Sequence, residues 1–363
     1  MELDEEGQDN IIAALEHHDR VIGINIRGQK CLALEKFAAA MERPFPVLTD
    51  LNLSSSAEIA PVLHEEFLGG SVPCLRSFVL LNIAFPAFPK LALVATHLST
   101  LTLYDIPMTG YISSEAMATC LAMLPSLGFL YIGIFQSPRS LPDRISLPPP
   151  TRAILPALIR FVFEGISEYM EDLVFRIDTP NLNWLGIHFF MDLMLNIPQL
   201  HKFIARTETI RPLSPAEIIF SSSFAEIRLG PHYGIVELRI HCEGLDRQAS
   251  STAQLCSQLS PLLSHVERLD IREHSLQRNG INPMQWFDLC GPFPAVRDLY
   301  IYDELRPLVA RALQGLTGER ATEVLPTLRS LYLRGPFRPV RGDIQAFIAA
   351  RQHSNYPVDV YWE

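Results

Sequence analysis

PVLTDLNL (46–53), PCLRSFVL (73–80) and PSLGFLYI (125–132) are copies of one pattern, in which a proline stands two residues before L-x-x-L-x-L or a close relative. Five more copies keep the proline, and another five lack it but keep the apolar spacing. Successive copies mostly start 23 to 32 residues apart. A single copy carries little information, but thirteen at this spacing predict a repeat architecture rather than a series of independent domains.

The residue types explain the period. The last two apolar positions fit a short strand whose alternate side chains point inward, and proline ends the preceding helix because it fixes φ and restricts its predecessor. Parallel strands also need crossover segments, which here have room for helices; Ser113 fits an N-cap for a helix over 114–124. The spacing is that of leucine-rich repeats. We therefore predict an α/β fold, an irregular leucine-rich-repeat solenoid (horseshoe) with a parallel sheet on its concave face and helices or loops on its convex face.

Three features make the repeat irregular. The copies at Phe224 and Ile235 start only 11 residues apart, which predicts a β-hairpin or kinked insertion. The copy beginning at Pro198 is a weak member, because alanine occupies its last apolar position, Ala205. The asparagine that usually bridges successive turns is absent at equivalent positions such as Gln29, so uneven geometry between turns is expected.

The pattern divides the chain into three segments. Residues 1–20 are predicted to form an acidic tail and a short capping helix at about 10–17. Residues 21–340 are predicted to form about 12 repeat turns, with the irregular hairpin near 224–240. Residues 341–363 are predicted to form a C-terminal capping helix and tail.

Composition narrows the classes of function. The 363 residues are 48% hydrophobic and carry a net charge of −10, which argues against wholesale disorder and against a nucleic-acid-binding protein. The six cysteines are dispersed, the acidic start has no signal-peptide pattern, and no apolar run is long enough to cross a membrane. We expect a monomeric cytoplasmic or nuclear protein that does not act on membranes.

Catalytic signatures are absent from the sequence. It contains no G-x-S-x-G elbow, no phosphate-binding loop and no G-x-G-x-x-G after a strand. His64-Glu65 begins like a zinc-protease helix but lacks the second histidine, and His17-His18 lacks further ligands. We therefore predict no enzyme activity, no cofactor and no metal site.

Three stretches resemble a known family: DNIIAALEHHDRVIGI (9–24), LYIY (299–302) and FIAARQH (347–353). They are similar to the leucine-rich-repeat-like regions of F-box proteins from mushroom-forming (basidiomycete) fungi. The resemblance implies a substrate-recognition role in ubiquitination, in which an F-box docks on the Skp-type adaptor of a cullin–RING ligase. No F-box is recognisable before the first repeat, so an adaptor contact is expected only if one lies upstream. The alternative is a repeat-only scaffold or adaptor protein unconnected to ubiquitination.

The outward strand positions are the candidate binding surface for a protein or peptide. In the early and middle turns these positions hold large apolar and aromatic side chains, which on a soluble protein often mark an interface. Cover by another segment is an equally open interpretation. The candidates in this group are Val79, Leu81, Tyr104, Phe129, Tyr131, Val162 and Trp184.

The later turns are rich in charge. An arginine row flanked by tyrosines suits carboxylate or phosphate groups of a bound peptide, whereas cross-strand ion pairs without any partner are the more common arrangement. The candidates in this group are Arg228, Arg239, Arg268, Arg272, Tyr300 and Tyr302. With Lys202 and Arg206 counted among the outward residues, the predicted face is mildly basic.

Overall fold

A computed structural model describes residues 5–134, 151–190, 195–211, 213–231, 235–273, 283–302, 323–334 and 341–362. The chain folds into two compact units, residues 1–183 (unit 1) and 184–363 (unit 2). Each unit combines helices with a sheet that is wholly or mostly parallel. The predicted α/β repeat class is confirmed.

Unit 1 is built on a parallel sheet. Its described α-helices are α1 (Glu5–Leu15), α2 (Cys31–Ala40), α3 (Phe88–Ala92), α4 (Ser114–Ala122) and α5 (Ser167–Arg176). Its described strands are β1 (Gly23–Gln29), β2 (Asp50–Ser55), β3 (Ser77–Leu81), β4 (Thr100–Tyr104), β5 (Phe129–Ile134), β6 (Ala153–Ile154), β7 (Arg160–Gly165) and β8 (Ile177–Asp178). The sheet order is β1-β2-β3-β4-β5-β7, and β6 pairs separately with β8. As predicted, Ser113 caps α4, accepting a hydrogen bond from the Ala116 amide.

Unit 2 has a mixed sheet. Its described α-helices are α6 (Pro198–Arg206), α7 (Leu245–Gln258), α8 (Ser260–Leu263), α9 (Pro283–Cys290) and α10 (Arg341–His353). Its described strands are β9 (Trp184–Phe190), β10 (Ala216–Phe220), β11 (Phe224–Leu229), β12 (Val236–His241), β13 (Arg268–Glu273), β14 (Asp298–Tyr302), β15 (Ser330–Arg334) and β16 (Asp359–Trp362). The order is β9-β12-β11-β10-β13-β14-β15-β16. Among these described strands, β11 alone runs antiparallel to its neighbours.

The irregular region was predicted in part. Strands β11 and β12 form the expected antiparallel pair. Strand β10, which pairs antiparallel with β11 and parallel with β13, is not predicted by the repeat pattern. The reversal of β11 therefore lies inside the sheet, with β10 returning the chain to the parallel direction.

The prediction of a strand after Pro198 is wrong, because this segment is helix α6. Proline suits the first turn of a helix, and the buried Leu200, Phe203 and Ile204 recur at spacings of three and four residues. The other twelve copies of the pattern form strands. Since α6 is a helix, Lys202 and Arg206 do not belong to the sheet face.

The turns of unit 1 are joined by a ladder of main-chain hydrogen bonds. The carbonyl of Thr49 accepts the amides of Arg76 and Ser77, at 2.8 and 3.0 Å, and the Arg76 carbonyl accepts the next two amides in the same way. The accepting carbonyls belong to Ile22, Thr49, Arg76, Ser99, Gly128 and Ile159. Asn82 adds a side-chain bridge, donating from Nδ2 to the Ala57 carbonyl at 2.9 Å. The spacing between turns is therefore fixed mainly by the backbone.

Alternate strand residues form the core. Six leucines at the middle apolar position of the pattern, which was predicted to point inward, are at most 1% exposed, namely Leu51, Leu101, Leu130, Leu185, Leu269 and Leu331. Each such side chain contributes roughly 1.5–3 kcal/mol through burial. The strand residues between them point to the other side, which we call the open face of each unit.

A buried arginine on helix α10, Arg351, links this helix to the rest of unit 2. Arg351 has no exposed surface and donates to the carbonyls of Leu325, Leu328 and Tyr356 at 3.0–3.3 Å. Its guanidinium also lies 5.8 Å from the ring centres of Phe347 and Tyr356. Burial lowers the pKa of Arg351 from its ordinary value, an effect that Tyr356 partly offsets.

Helices occur in both predicted end segments, since α1 lies within residues 1–20 and α10 within 341–363. Their role as caps of the repeat stays a prediction. Strand β16, also in the last segment, was expected to be part of a tail. None of the described helices combines the length and apolar composition needed to cross a bilayer.

Candidate protein-binding surface

The open face of unit 1 carries in-register rows of side chains across neighbouring parallel strands. One row runs from small polar groups toward an aromatic one, through Asn25, Asn52, Val79, Thr102, Tyr131 and Val162. A second row places Leu81 beside Tyr104, and a third places Phe129 beside Arg160. The predicted apolar candidates of unit 1 therefore lie close together on this face.

Two tyrosines form the centre of this group. The rings of Tyr104 and Tyr131 meet edge to face, with their centres 5.4 Å apart, and the Tyr131 hydroxyl donates to Glu164. A Cβ placed on Gly133 would lie 2.9 Å from Tyr104 Cδ2, so the missing side chain makes room for the ring. Burial raises the pKa of Tyr104 from its ordinary value, and the charges of Glu164 and Asp105 add to this effect.

Exposure along this face is lower than the sequence predicts. Val162 is only 5% exposed, which corrects its assignment as a surface residue. Its side chain is short and lies in register with the larger Tyr131. The other five candidates of unit 1 are half-buried, namely Val79, Leu81, Tyr104, Phe129 and Tyr131. The guanidinium of Arg160 lies 5.8 Å from the Phe129 ring centre.

In unit 2, the indole of Trp184 is laid along its own strand. A Cβ built on Gly186 would come within 2.3 Å of Trp184 Cη2, so the ring occupies the space that a side chain at 186 would need. Trp184 is half-buried as a result. Gly186 thus determines the orientation and the exposure of the Trp184 ring.

The charged candidates of unit 2 form a continuous network that we call the ion-pair chain. It consists, in order of contact, of Arg272, Glu217, Arg228, Glu226, Arg239, Glu237 and His188. These residues come from strands β9 to β13, and cross-strand register places Glu226 opposite Arg239 and Arg228 opposite Glu237. Alternating charge on adjacent strands brings opposite charges into contact.

Glu226 is the central residue of the ion-pair chain. Its side chain is only 1% exposed, and it accepts from Arg228 Nε and from Arg239 Nη2, the latter at 3.0 Å. Each arginine also contacts a second carboxylate, at 3.7 Å for Arg228 to Glu217 and 3.1 Å for Arg239 to Glu237. The buried charge is therefore compensated from both sides.

The ends of the ion-pair chain are also paired. Arg272 Nε lies 2.6 Å from Glu217, and His188 Nε2 lies 3.2 Å from Glu237. Outside the chain, Arg268 binds both carboxylate oxygens of Asp270, at 3.2 and 3.1 Å. All four predicted arginines therefore have carboxylate partners within the sheet, which favours the interpretation of the arginine row as cross-strand ion pairs that need no bound peptide.

This pairing corrects the prediction of a basic face in unit 2. The loss of Lys202 and Arg206 to a helix and the addition of Glu217 on β10 remove the predicted excess of positive charge. The four arginines face four carboxylates, those of Glu217, Glu226, Glu237 and Asp270. A peptide phosphate or carboxylate would therefore have to displace an existing ion pair.

Toward β16, the open face of unit 2 carries a row of tyrosines. We call Tyr300, Tyr332 and Tyr361 the tyrosine ladder, because they are in register on three adjacent parallel strands and their rings stack. The first two ring centres are 4.2 Å apart and the last two 4.8 Å apart, with interplanar angles of 4° and 15°.

Arginines contact Tyr300, at one end of the ladder, and the neighbouring Tyr302. The Arg268 guanidinium lies 4.1 Å from the Tyr300 ring centre, and that of Arg272 lies 4.3 Å from Tyr302. The Tyr302 hydroxyl accepts from Arg334 at 2.8 Å and from Arg272 at 3.3 Å. Arginine–tyrosine contacts thus hold these half-buried rings in fixed orientations on the open face.

Several residues of this surface are not predicted by the repeat pattern. Glu217 was missed with its strand, although the alternation in AEIIF (216–220) and its two isoleucines are strand signals. Tyr361 was assigned to a tail, although DVYW (359–362) is rich in residues that favour strands. Only the register of the sheet reveals that Tyr361 stacks on Tyr332.

The electrostatics of Glu237 predict a pH-dependent contribution to stability. Burial would raise the pKa of this carboxyl, but the hydrogen bond from His188 and the charges of Arg239, His188 and Arg228 outweigh burial and lower it. A lowered folded-state pKa stabilises the fold at pH values above the unfolded-state pKa. This contribution is lost as the pH falls through the lowered folded-state pKa.

Glu237→Gln should therefore cost on the order of 1 kcal/mol at pH 7, since charged hydrogen bonds are weakened. The difference from the wild type should shrink below about pH 4.5, the ordinary pKa of the group. Urea unfolding at several pH values measures this directly. An equal difference at pH 7 and pH 3 would contradict the assignment.

Comparisons with known proteins give a limited result. No family model matches the chain, and no curated protein matches it. Among solved structures, the chain is similar to the leucine-rich repeat-containing protein LegL7 from Legionella pneumophila. The two are 15% identical, the match covers 88% of this chain and 94% of that one, and the TM-score is 0.33.

Proposed function

We propose that this chain is a non-catalytic protein-binding repeat protein that holds a protein or peptide on the open face of its sheet. The observation that carries the proposal is the tyrosine ladder with its attendant arginines in unit 2. Tyrosine and arginine dominate the energetics of protein interfaces, and rings held by neighbouring contacts lose little conformational entropy on binding. The dispersed cysteines support a cytoplasmic or nuclear location.

The candidate residues of unit 1 belong to the same proposal. Val79, Leu81, Tyr104 and Tyr131 offer a mostly apolar patch, whereas the ion-pair chain of unit 2 is internally neutralised. We therefore assign the binding energy to aromatic and apolar contacts, with the arginines orienting the rings rather than capturing an anion.

The Tyr300→Ala/Tyr332→Ala variant tests the proposal. Affinity capture from a lysate of the source organism, quantified by mass spectrometry, should show at least a tenfold loss of the specific partners of the wild type. Tyr300→Phe/Tyr332→Phe is the matched control, because it keeps both rings and should retain the partners. Circular dichroism establishes that each variant is folded.

If the folded alanine variant retains every specific partner at wild-type levels, the tyrosine ladder is not the binding surface. Equal capture by the wild type and by an unrelated control protein would contradict protein binding altogether.

For the cellular role we propose substrate recognition in the manner of an F-box ubiquitin-ligase receptor, on the basis of the family resemblance given above. Co-purification of the product of the complete gene, with any sequence encoded upstream of Met1, with a Skp-type adaptor at micromolar concentrations tests this role. A stable complex supports the receptor role, and its absence favours the alternative of a scaffold unconnected to ubiquitination.

A further inference from the structure

The outer edge of strand β16 offers main-chain hydrogen-bonding groups. The strand pairs with β15 on one side, and no described strand pairs with its other side. The Asp359 amide donates to the Arg329 carbonyl in the direction of β15, at 2.8 Å. Because successive residues of a strand point their amide and carbonyl groups to opposite sides, those of Val360 face the outer edge. Such an edge can accept an additional strand.

The tyrosine ladder ends at this edge. At the opposite end of the ladder, the guanidinium of Arg268 lies 4.1 Å from the ring centre of Tyr300. The ring of Tyr361 is stacked on Tyr332 by one face and is 44% exposed. A strand added to β16 would bring one of its side chains over the outer face of Tyr361, because neighbouring strands lie about 4.8 Å apart. Arginine fits this place, as it does above Tyr300.

On the open face, strand β16 carries the negative charge of Asp359. Asp359 is exposed and lies two residues before Tyr361, so both side chains point to the open face. The next two residues in its row are Ser330 and Asp298, so this part of the face carries two carboxylates. If one arginine of the added strand covers Tyr361, a positive side chain two residues away on that strand would lie beside the Asp359 carboxylate.

The other face of β16 is apolar at the edge. Val360 is half-buried and Trp362 is 43% exposed, and both alternate with the residues of the open face. Trp362 is in register with the buried Leu333 of β15. The residue between the two positive side chains of an added strand would lie on this face and extend the apolar layer.

We propose that the edge of β16 binds an extended basic segment of a partner protein, with the pattern arginine–apolar–arginine, as an additional strand of the sheet. The main chain supplies hydrogen bonds to Val360, one arginine covers Tyr361, and the other pairs with Asp359. The pattern reads the same in both directions, so it suits parallel and antiparallel addition. The inference rests on the proposed protein-binding function and names a partner class and a second place of contact.

Fluorescence anisotropy with the labelled peptide Thr-Val-Arg-Ile-Arg-Val-Thr and the full-length chain tests the proposal. Tyr361→Ala should weaken binding at least fivefold, and Asp359→Asn should weaken it two- to fivefold and reduce its salt dependence. Tyr361→Phe, which keeps the ring, and Asp105→Asn, an exposed aspartate of unit 1, should stay within twofold of the wild type. A peptide that is N-methylated at the amides of both the isoleucine and the second arginine should bind at least tenfold more weakly, because the isoleucine amide donates to Val360 in antiparallel addition and the arginine amide does so in parallel addition.

Three results would overturn the proposal: equal binding of a peptide with glutamates in place of both arginines, undiminished binding to Tyr361→Ala, or undiminished binding of the N-methylated peptide. Sedimentation velocity supplies a fourth, because a dimer abolished by Tyr361→Ala would assign the edge to a second copy of this chain. If the peptide fails to bind while Tyr300→Ala/Tyr332→Ala still loses its partners, the edge proposal fails and the proposed function stands.

Discussion

Arg351→Met should destabilise the protein by about 3–5 kcal/mol. The replacement fills much of the same space but leaves the carbonyls of Leu325, Leu328 and Tyr356 without the guanidinium that they now share. Each buried polar group that loses its partner costs about 1–3 kcal/mol. The total is reduced because the Leu325 carbonyl keeps the Leu328 amide as a second donor, at 3.0 Å. Urea unfolding monitored by circular dichroism measures the change.

The matched control for this prediction is Arg329→Met, since Arg329 is an exposed arginine in the same part of unit 2. Surface replacements of this kind usually change stability by less than about 0.5 kcal/mol. If both variants lose equally little, the guanidinium of Arg351 does not hold helix α10 against the sheet.

Glu226→Ala should cost about 2–4 kcal/mol. Breaking a buried ion pair usually costs 3–5 kcal/mol, because the remaining charge is left uncompensated. Here Arg228 and Arg239 keep their contacts with Glu217 and Glu237, and both are about one-quarter exposed, so we expect a smaller loss.

Glu267→Ala is the control for Glu226→Ala. Glu267 lies 3.4 Å from Arg297 in a pair whose side chains are 57% and 50% exposed, and such surface pairs contribute about 0–1 kcal/mol. A loss for Glu226→Ala no larger than that of the control would show that its buried contacts are not needed. Partial recovery in Glu226→Ala/Arg228→Met would support the charge-imbalance explanation.

The inward residues could be predicted because their chemistry is nearly independent of context. Leu130 and Leu331 fit a strand position that has no access to water, and the repeated spacing identifies that position without any knowledge of neighbours. The β11–β12 pairing followed in the same way, from an interval too short for a crossover helix.

The errors arose where a local pattern has two structural solutions. In PQLHKFIAR (198–206) the apolar spacing fits L-x-x-L-x-L only loosely, but Leu200, Phe203 and Ile204 fit one side of a helix. Whether the arginines are paired within the sheet depended on contacts between residues far apart in the sequence. Arg272, for example, contacts Glu217, which is 55 positions earlier and lies on a strand that was not predicted. Without the order β11-β10-β13, no spacing along the chain brings those two residues together.

The carbonyl ladder of unit 1 has a consequence for the way such a chain can evolve. Its accepting positions hold isoleucine, threonine, arginine, serine, glycine and again isoleucine, so no single type of side chain is required there. Since the ladder is built from peptide groups, to which the Thr49 and Ser99 hydroxyls add side-chain donors, most substitutions other than proline at these sites should leave the pitch between turns intact. Sequence change at the residues of the ladder is therefore tolerated. The open face can then acquire new binding residues while the spacing between turns stays the same.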